Sequence, residues 1–355
     1  MSIRHLISIE DISVEWWDKL YALCCNIIEY PADYRDACRG KVMASLFFEP
    51  STRTNFSFQA AMMRLGGNVF GFSDPNATSS AKGETLADTI RMVSAYSDLI
   101  VMRSPKEGAA TAAALYSGVP VINAGDGGHM HPTQTLADLT TISQKFGNIG
   151  NINVGLCGDL KYGRTVHSLA VALSKFPGIN FYHIAPPDLS MPEYMLSYMR
   201  QNGQKYIETT DLESAIPQLD VLYMTRIQKE RFPNPLEFER LRGIYVLTKR
   251  MLERAKPNML VMHPLPRIDE IDTDVDSDSR AVYFEQARYG MFIRMALLLN
   301  LSREPRENSR PPESNTGILC GNPACVTQTE LYLPARTKDS GGLCCAYCDK
   351  KLVTV

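Results

Sequence analysis

The sequence predicts an α/β protein: two lobes built on doubly wound, mainly parallel sheets, followed by a small zinc-binding β module. Three observations predict it. Between about residues 42 and 265, a short apolar run, a polar loop with a cationic or imidazole residue and a helix-like amphipathic stretch recur in that order, the alternation of a parallel α/β sheet. The pattern pauses at the helical stretch His131–Phe146 and restarts at Ile152, which divides the chain into two lobes of similar size. Finally, Cys320, Cys325, Cys345 and Cys348 stand in paired spacing beyond a polar segment that has no periodicity. A length of 355 residues accommodates two or three domains.

Composition narrows the function classes. At 45% hydrophobic and 21% charged residues the chain is globular rather than disordered. A formal net charge of −2 gives no sign of a nucleic-acid or membrane surface, although a local arginine patch would still hold a small anion. The N-terminus, MSIRHLISIEDISVEWW, lacks the basic and apolar regions of a signal peptide, and no apolar run reaches the ~18 residues of a membrane span. Cys24, Cys25, Cys38 and Cys157 are scattered and read as buried small hydrophobes, so a reducing cytoplasm is expected.

The expected strands are Val42–Phe48, Leu99–Met102, Val119–Ile122, Ile152–Cys157, Val221–Met224 and Met259–Met262, ending in the loops FEPSTRT, RSP, GDGGHMHPTQ, GDLKYGRT, TRIQ and HPLPR. In open parallel sheets ligands bind outside the carboxyl ends of strands, so these loops are the candidate site. After the first strand, Ser51 is the expected N-cap of a helix with Phe56, Ala60 and Met63 on its apolar face. Its unpaired N–H groups, with Thr52, Thr54 and Arg53, suit a phosphate. The small-residue loop Thr78–Thr89 carries one lysine, Lys82, and Arg103 follows its strand directly. His131 and Gln134 open a helix and aim at one place, with His129 a competitor for the histidine's role. Arg164, and Arg226 with Gln228, stand at strand ends in the second lobe, where two arginines would grip two carboxylates. The prolines of His263-Pro264-Leu265-Pro266-Arg267 fix a loop and leave carbonyls free to accept.

Taken singly, each motif also has a structural reading: a capped helix with a surface arginine, a solvated lysine, a satisfied histidine, arginines paired with Asp159 or Glu230, or a rigid turn. The stretch Gln286–Leu301 reads as a final helix packing back on the lobes, and residues 302–317 as a linker. In residues 318–355, C-x4-C and C-x2-C pairs separated by nineteen residues form a four-thiolate zinc site of structural type. Cys344 is an alternative to Cys345 as third ligand. So small a module needs the metal to fold.

Together, F-x-E-P-S-T-R-T, K-G-E-T-L-A-D-T, H-P-T-Q, G-D-L-K-Y-G-R-T-V-H-S, Y-M-T-R-I-Q-K-E-R and H-P-L-P-R, in this order, resemble aspartate carbamoyltransferase catalytic chains over residues 3–301. The tail, with C-G-N-P-x-C, resembles the zinc domain of the bacterial enzyme's separate regulatory chain without its nucleotide-binding domain, implying a role in assembly and none in sensing ATP or CTP. The resemblance implies transfer of the carbamoyl group of carbamoyl phosphate to L-aspartate, a step of pyrimidine biosynthesis, with structural zinc and no organic cofactor. It implies a carbamoyl-phosphate domain over residues 1–133, joined by the helix 286–301, and an aspartate domain over residues 134–285. Ser51, Thr52, Arg53 and Thr54 would hold the phosphate, and Thr54, Arg103 and His131 would polarise the carbonyl. Gln134 and the Leu265 carbonyl would orient the carbamoyl amide, with a cis peptide before Pro266. Arg164, Arg226 and Gln228 would bind the aspartate carboxylates. A neighbouring chain would deliver Lys82 and Ser79 or Ser80, making a homotrimer with shared active sites the smallest active unit, open to higher assembly. The chain departs from many relatives at Asn55 and Gln59, where they carry Arg and Glu, and in having one lysine before Gly83. Two rivals remain: a carbamoyltransferase acting on ornithine, against which Arg226-x-Gln228 argues, and a non-catalytic protein that uses the zinc module to bind a partner.

Overall fold

The computed structural model describes residues 4–74, 78–227, 235–307, 315–339 and 342–352. They form two compact units, Met1–Thr133 with Met291–Val355, and Gln134–Gly290.

The first unit opens with α1 (Val14–Glu29), whose cap Ser13 accepts from the Trp16 N–H at 3.1 Å. Then follow β1 (Val42–Phe47), α2 (Thr52–Arg64), β2 (Asn68–Phe72), α3 (Leu86–Tyr96), β3 (Leu99–Ser104), α4 (Ala109–Tyr116) and β4 (Val121–Asp126). The strands make one parallel sheet in the order β2-β1-β3-β4. The chain moves outward one way from β1 and the other way from β3, so the topological switch point lies between them, where Phe47 faces Arg103 in register.

The second unit takes up α5 (Pro132–Phe146) from its third residue. It continues through β5 (Asn153–Cys157), α6 (Arg164–Leu173), β6 (Asn180–Ile184), α7 (Glu193–Gln201), β7 (Lys205–Thr209), α8 (Leu212–Ala215), β8 (Val221–Met224), α9 (Pro235–Leu241), α10 (Lys249–Leu252) and β9 (Leu260–Met262). Its parallel sheet runs β7-β6-β5-β8-β9, with the switch point between β5 and β8. An apolar core of Ile216, Leu222, Met224, Val261 and Tyr283 packs this sheet. The long helix α11 (Tyr283–Leu301) starts in the second unit and ends in the first. Among the described residues no helix is long and apolar enough to cross a membrane.

Beyond α11 the chain is anchored at once: Arg306 donates to the carbonyls of Ser94 and Ser97 at 2.6 and 2.8 Å, and the Glu307 N–H donates to the Gly118 carbonyl. The C-terminal module pairs β10 (Thr337–Asp339) with β11 (Leu343–Cys345) antiparallel. Its Cys325, Val326, Leu333 and Tyr347 share one apolar core with Leu86, Ile90, Ala112 and Tyr116 of α3 and α4. The module therefore packs on the first unit of its own chain. Gly108, in the left-handed region at φ 80°, permits this approach, since a Cβ there would stand 2.6 Å from the Tyr347 backbone.

Several expectations need correction. The inward face of α2 carries Thr54, Asn55, Phe58, Ala61 and Met62, whereas Phe56 and Met63 are 63% and 57% exposed. Apolar residues recur at helical spacing on both faces of α2, so periodicity alone picks the wrong one. Ser51 occupies the N-cap position with φ −159° and ψ 86° but makes no side-chain capping bond. The six apolar runs omit β2, β6 and β7. Of these, β2 and β7 are sheet edges with mostly exposed side chains; β7 (KYIET) carries no apolar run, and that of β2 (NVFGF) is short and interrupted by Gly71.

Candidate active site and cysteine cluster

In the first unit the candidate residues gather at the switch point. Thr52 and Arg53 are exposed in the first turn of α2 and Thr54 is buried, and Ser51 does not cap the turn with its side chain. A helix start of this kind presents N–H donors and the positive end of the helix dipole to an anion. Arg103 closes β3 with only 13% of its side chain exposed, pairs with Glu49 at 2.7 Å and lies 3.5 Å from His131 Nε2. A guanidinium only donates, so that ring nitrogen is the acceptor of the contact. Between the two sits Gly125 at φ 122°, where a Cβ would stand 3.3 Å from Arg103 Nη1 and 3.4 Å from His131 Cδ2. The missing side chain is what lets cation and imidazole meet.

The loop carrying His131 is braced by Asp126, itself buried. One carboxylate oxygen accepts from the Gly108 N–H at 2.8 Å and meets His129 Nδ1 at 3.0 Å, while the other accepts from the Met130 N–H and from Asn123. On its far side His129 Nε2 forms an ion pair at 3.2 Å with Asp349 of the C-terminal module, less well aligned than a hydrogen bond. Burial alone would lower the pKa of His129, but Asp126 and Asp349 overcome it and push the imidazole up to about 10. His129 is thus a structural cation, which leaves the role facing Arg103 to His131. Ser79 and Lys82 stand exposed on a 3-10 turn, Ser79–Lys82, just before α3.

In the second unit the loops after β5 and β8 meet, again at the switch point. Gly158, at φ 114°, brings its backbone against Thr225, and the Asp159 N–H donates to Thr225 Oγ1 at 3.0 Å. Arg164 begins α6 and is half-buried. Arg226 lines a cleft of about 360 Å³ together with Gly158, Thr225, Tyr245 and Glu270. Gln228 lies outside the described residues. Leu265 has φ 54° and is joined to Pro266 by a cis peptide bond, as expected for this loop. Gln134 donates from Nε2 to Asp138 at 2.8 Å.

The sulfurs of Cys320, Cys325, Cys345 and Cys348, all buried, lie within 4.8 Å of one another. Sulfurs about 2.3 Å from a tetrahedral ion would be about 3.8 Å apart, and the Cys320–Cys348 and Cys325–Cys345 distances are 3.6 and 4.0 Å. Cys320 accepts from the Asn322 N–H, Cys348 from the Asn322 amide and Cys325 from Thr327, the polar support that thiolates on a metal require. The donor set therefore fits a four-coordinate ion. Cys344 precedes Cys345 on β11 and so points to the opposite side of the strand, outside the cluster.

Glu49, Asp126, Asp138 and Gln286 are assigned no role from the sequence, although Glu49 and Asp126 lie within the quoted loops. Asp138 could have been found from its place one helical turn after Gln134.

Comparison with known proteins also divides the chain in two, at bounds that differ from those of the compact units. Residues 4–144 match the profile described as aspartate/ornithine carbamoyltransferase, carbamoyl-P binding domain, and residues 150–301 match its Asp/Orn binding domain. The chain is 54% identical over 299 residues to an aspartate carbamoyltransferase catalytic subunit of Clostridium botulinum (strain Eklund 17B / Type B), covering 84% of this chain and 97% of the relative. It is 52% identical over 302 residues to that of Clostridium perfringens (strain ATCC 13124), covering 85% and 98%. Similar solved structures include the catalytic subunit of M. jannaschii aspartate transcarbamoylase, with TM-score 0.79, 46% identity and coverage of 84% and 98%. The Trypanosoma cruzi enzyme in complex with N-(phosphonacetyl)-L-aspartic acid gives TM-score 0.80, 41% identity and coverage of 84% and 96%. The profile matches end at residue 301, before the cysteine module.

Proposed function

The chain belongs to the aspartate carbamoyltransferase family, and from that premise we propose how its residues divide the work of moving a carbamoyl group from carbamoyl phosphate to the α-amine of L-aspartate. The enzyme is a transferase. In the reaction the neutral amine attacks the carbamoyl carbon to give a tetrahedral intermediate, the bond from that carbon to the phosphate oxygen breaks, and the amine gives up one proton as phosphate leaves. The protein contributes position and fixed positive charge, since two anions must be held together against their repulsion.

Ser51, Thr52, Arg53 and Thr54 receive the phosphate at the start of α2. Arg103 and His131, with Thr54, take the carbonyl oxygen as it gains charge; the 3.5 Å approach of Arg103 to His131 across Gly125 is the observation that carries this reading. Gln134 Oε1 and the carbonyl of Leu265 accept from the carbamoyl amide. Arg164, Arg226 and Gln228 hold the two carboxylates of aspartate; an arginine lining the second-unit cleft suits an acid rather than the ammonium of ornithine. Ser79 and Lys82 serve the site of a neighbouring copy in a cytoplasmic homotrimer, a role consistent with their exposure. Cys320, Cys325, Cys345 and Cys348 hold a Zn²⁺ ion, which supplies folding stability to the module and takes no part in the transfer.

The test is to incubate purified protein with carbamoyl phosphate and either aspartate or ornithine. Carbamoyl-aspartate is expected; carbamoyl-ornithine, or neither product, overturns the reading.

A further inference from the structure

At the start of the second unit, Asp138 lies on α5 one turn beyond Gln134 and is wholly buried. One of its oxygens accepts from Gln134 Nε2 at 2.8 Å and from Gln286 Nε2 at 2.6 Å, and the other accepts from the Tyr223 hydroxyl at 3.0 Å. A carboxylate offers only acceptors, so it decides which way each amide faces. Gln134 must turn its nitrogen toward Asp138, which leaves Oε1 to accept elsewhere. Gln286 must do the same, and its Oε1 accepts from the His263 N–H at 3.0 Å.

From there the connection reaches the loop after β9. His263 Nδ1 accepts from the Leu265 N–H at 2.7 Å, so the ring proton sits on Nε2, which donates to Glu270 at 2.7 Å. Burial would raise the pKa of Glu270, but His263 and nearby backbone N–H groups, that of Ile268 among them, together outweigh it and hold the carboxyl below its usual range. Leu265 is thereby fixed at φ 54°, a left-handed conformation that a residue with a side chain enters only at a cost. Its carbonyl direction depends on this anchoring.

We propose that Asp138 is a positioning residue for the transferred group: one buried carboxylate orients both acceptors, Gln134 Oε1 and the Leu265 carbonyl, that receive the two N–H donors of the carbamoyl amide. This rests on the reading of Gln134 and Leu265 given above. If the Gln134 amide were free to turn over, it would set NH₂ against NH₂ and lose one of those bonds.

The consequence is selectivity for an acyl donor that carries an amide. Acetyl phosphate has a methyl group in its place and gains nothing from either acceptor. The experiment measures kcat/KM for carbamoyl phosphate and for acetyl phosphate, the latter as inhibition if turnover is slow, in the wild type, Asp138→Asn and Gln286→Met. Asp138→Asn is expected to lower the value for carbamoyl phosphate by roughly 10- to 100-fold, about the loss of one or two hydrogen bonds to the transferred group, with little change for acetyl phosphate. Gln286→Met cuts the Leu265 arm, takes one donor from Asp138 and leaves the Gln134–Asp138 bond in place, which keeps the proposal testable if the first variant does not fold; a preference reduced roughly 3- to 10-fold is expected. Equal losses on both donors, or an unchanged preference in the folded variants, would overturn the proposal. A wild-type protein that carbamoylates no aspartate would instead overturn the functional reading beneath it.

Discussion

His129, two residues before His131, and Asp349, one residue after a cysteine of the C-terminal cluster, meet as an ion pair at 3.2 Å. The bond ties the loop that presents His131 to a module distant in sequence. Asp349→Asn removes one of the two anions around a buried imidazolium and is expected to cost about 1–3 kcal/mol, read as a lower denaturant midpoint together with reduced turnover. A variant matching the wild type in both would show that the brace is without consequence.

Replacing Arg53 or His131 by alanine is expected to lower kcat by roughly 10²–10³-fold, the usual loss when one donor to developing charge is removed. Arg53 is exposed, so its truncation should leave thermal unfolding near that of the wild type, whereas His131 is buried and its truncation should lower the unfolding temperature as well. Wild-type turnover by Arg53→Ala would refute the phosphate pocket.

The cysteine cluster makes a sharp distinction between neighbours. Cys345→Ser should abolish stoichiometric zinc on metal analysis, while Cys344→Ser, altering a residue on the other side of β11, should keep it. Because the module shares an apolar core with α3 and α4, stripping the metal is expected to lower the unfolding temperature of the first unit as well. Zinc lost equally from both variants would contradict the assignment.

Acid sensitivity has a source in His183. Burial in β6, against Tyr206, pushes its pKa down to about 4 from an ordinary value of 6.5. The unfolded chain takes up this proton first, so stability is unaffected above pH 6.5 and falls as the pH drops toward 4, by up to roughly 3 kcal/mol. His183→Leu should flatten that part of the curve in denaturant titrations; an unchanged slope would place the acid sensitivity elsewhere.

Gly108→Ala tests the docking of the module. The added methyl would meet the Tyr347 backbone at 2.6 Å in a conformation already unfavourable for alanine, and a loss of at least about 1–2 kcal/mol is expected. Limited proteolysis should release the C-terminal segment sooner than in the wild type; equal rates would mean that the contact is not tight.

The sequence makes the central strands and their loops legible because both are local: β1, β3, β5 and β8 are buried apolar runs, and each ends in candidate site residues. The edge strands β2 and β7 lack that signal. Arg103 and His131 are readable as candidates, but Glu49, Gly125 and Asp126, which hold them, become visible only once sheet order places the ends of β1, β3 and β4 together. The same holds for Asp138 and Gln286, 148 residues apart. Cysteine spacing identifies the cluster, yet it leaves Cys344 and Cys345 equivalent, and the alternation of side chains along β11 separates them.

At the head of α3 two backbone amides are satisfied by residues from far along the chain: the N–H of Leu86 donates to Glu330 at 3.1 Å, and that of Ala87 to the Tyr332 hydroxyl at 2.8 Å. Helix starts ordinarily meet this need with nearby residues or water. Cutting the polypeptide before residue 318 would therefore unroof the lobe rather than trim it, baring polar groups and the greasy flank of α4 in one stroke. The tail behaves as a wall of the building, and its removal should be felt as far away as the room where the chemistry takes place.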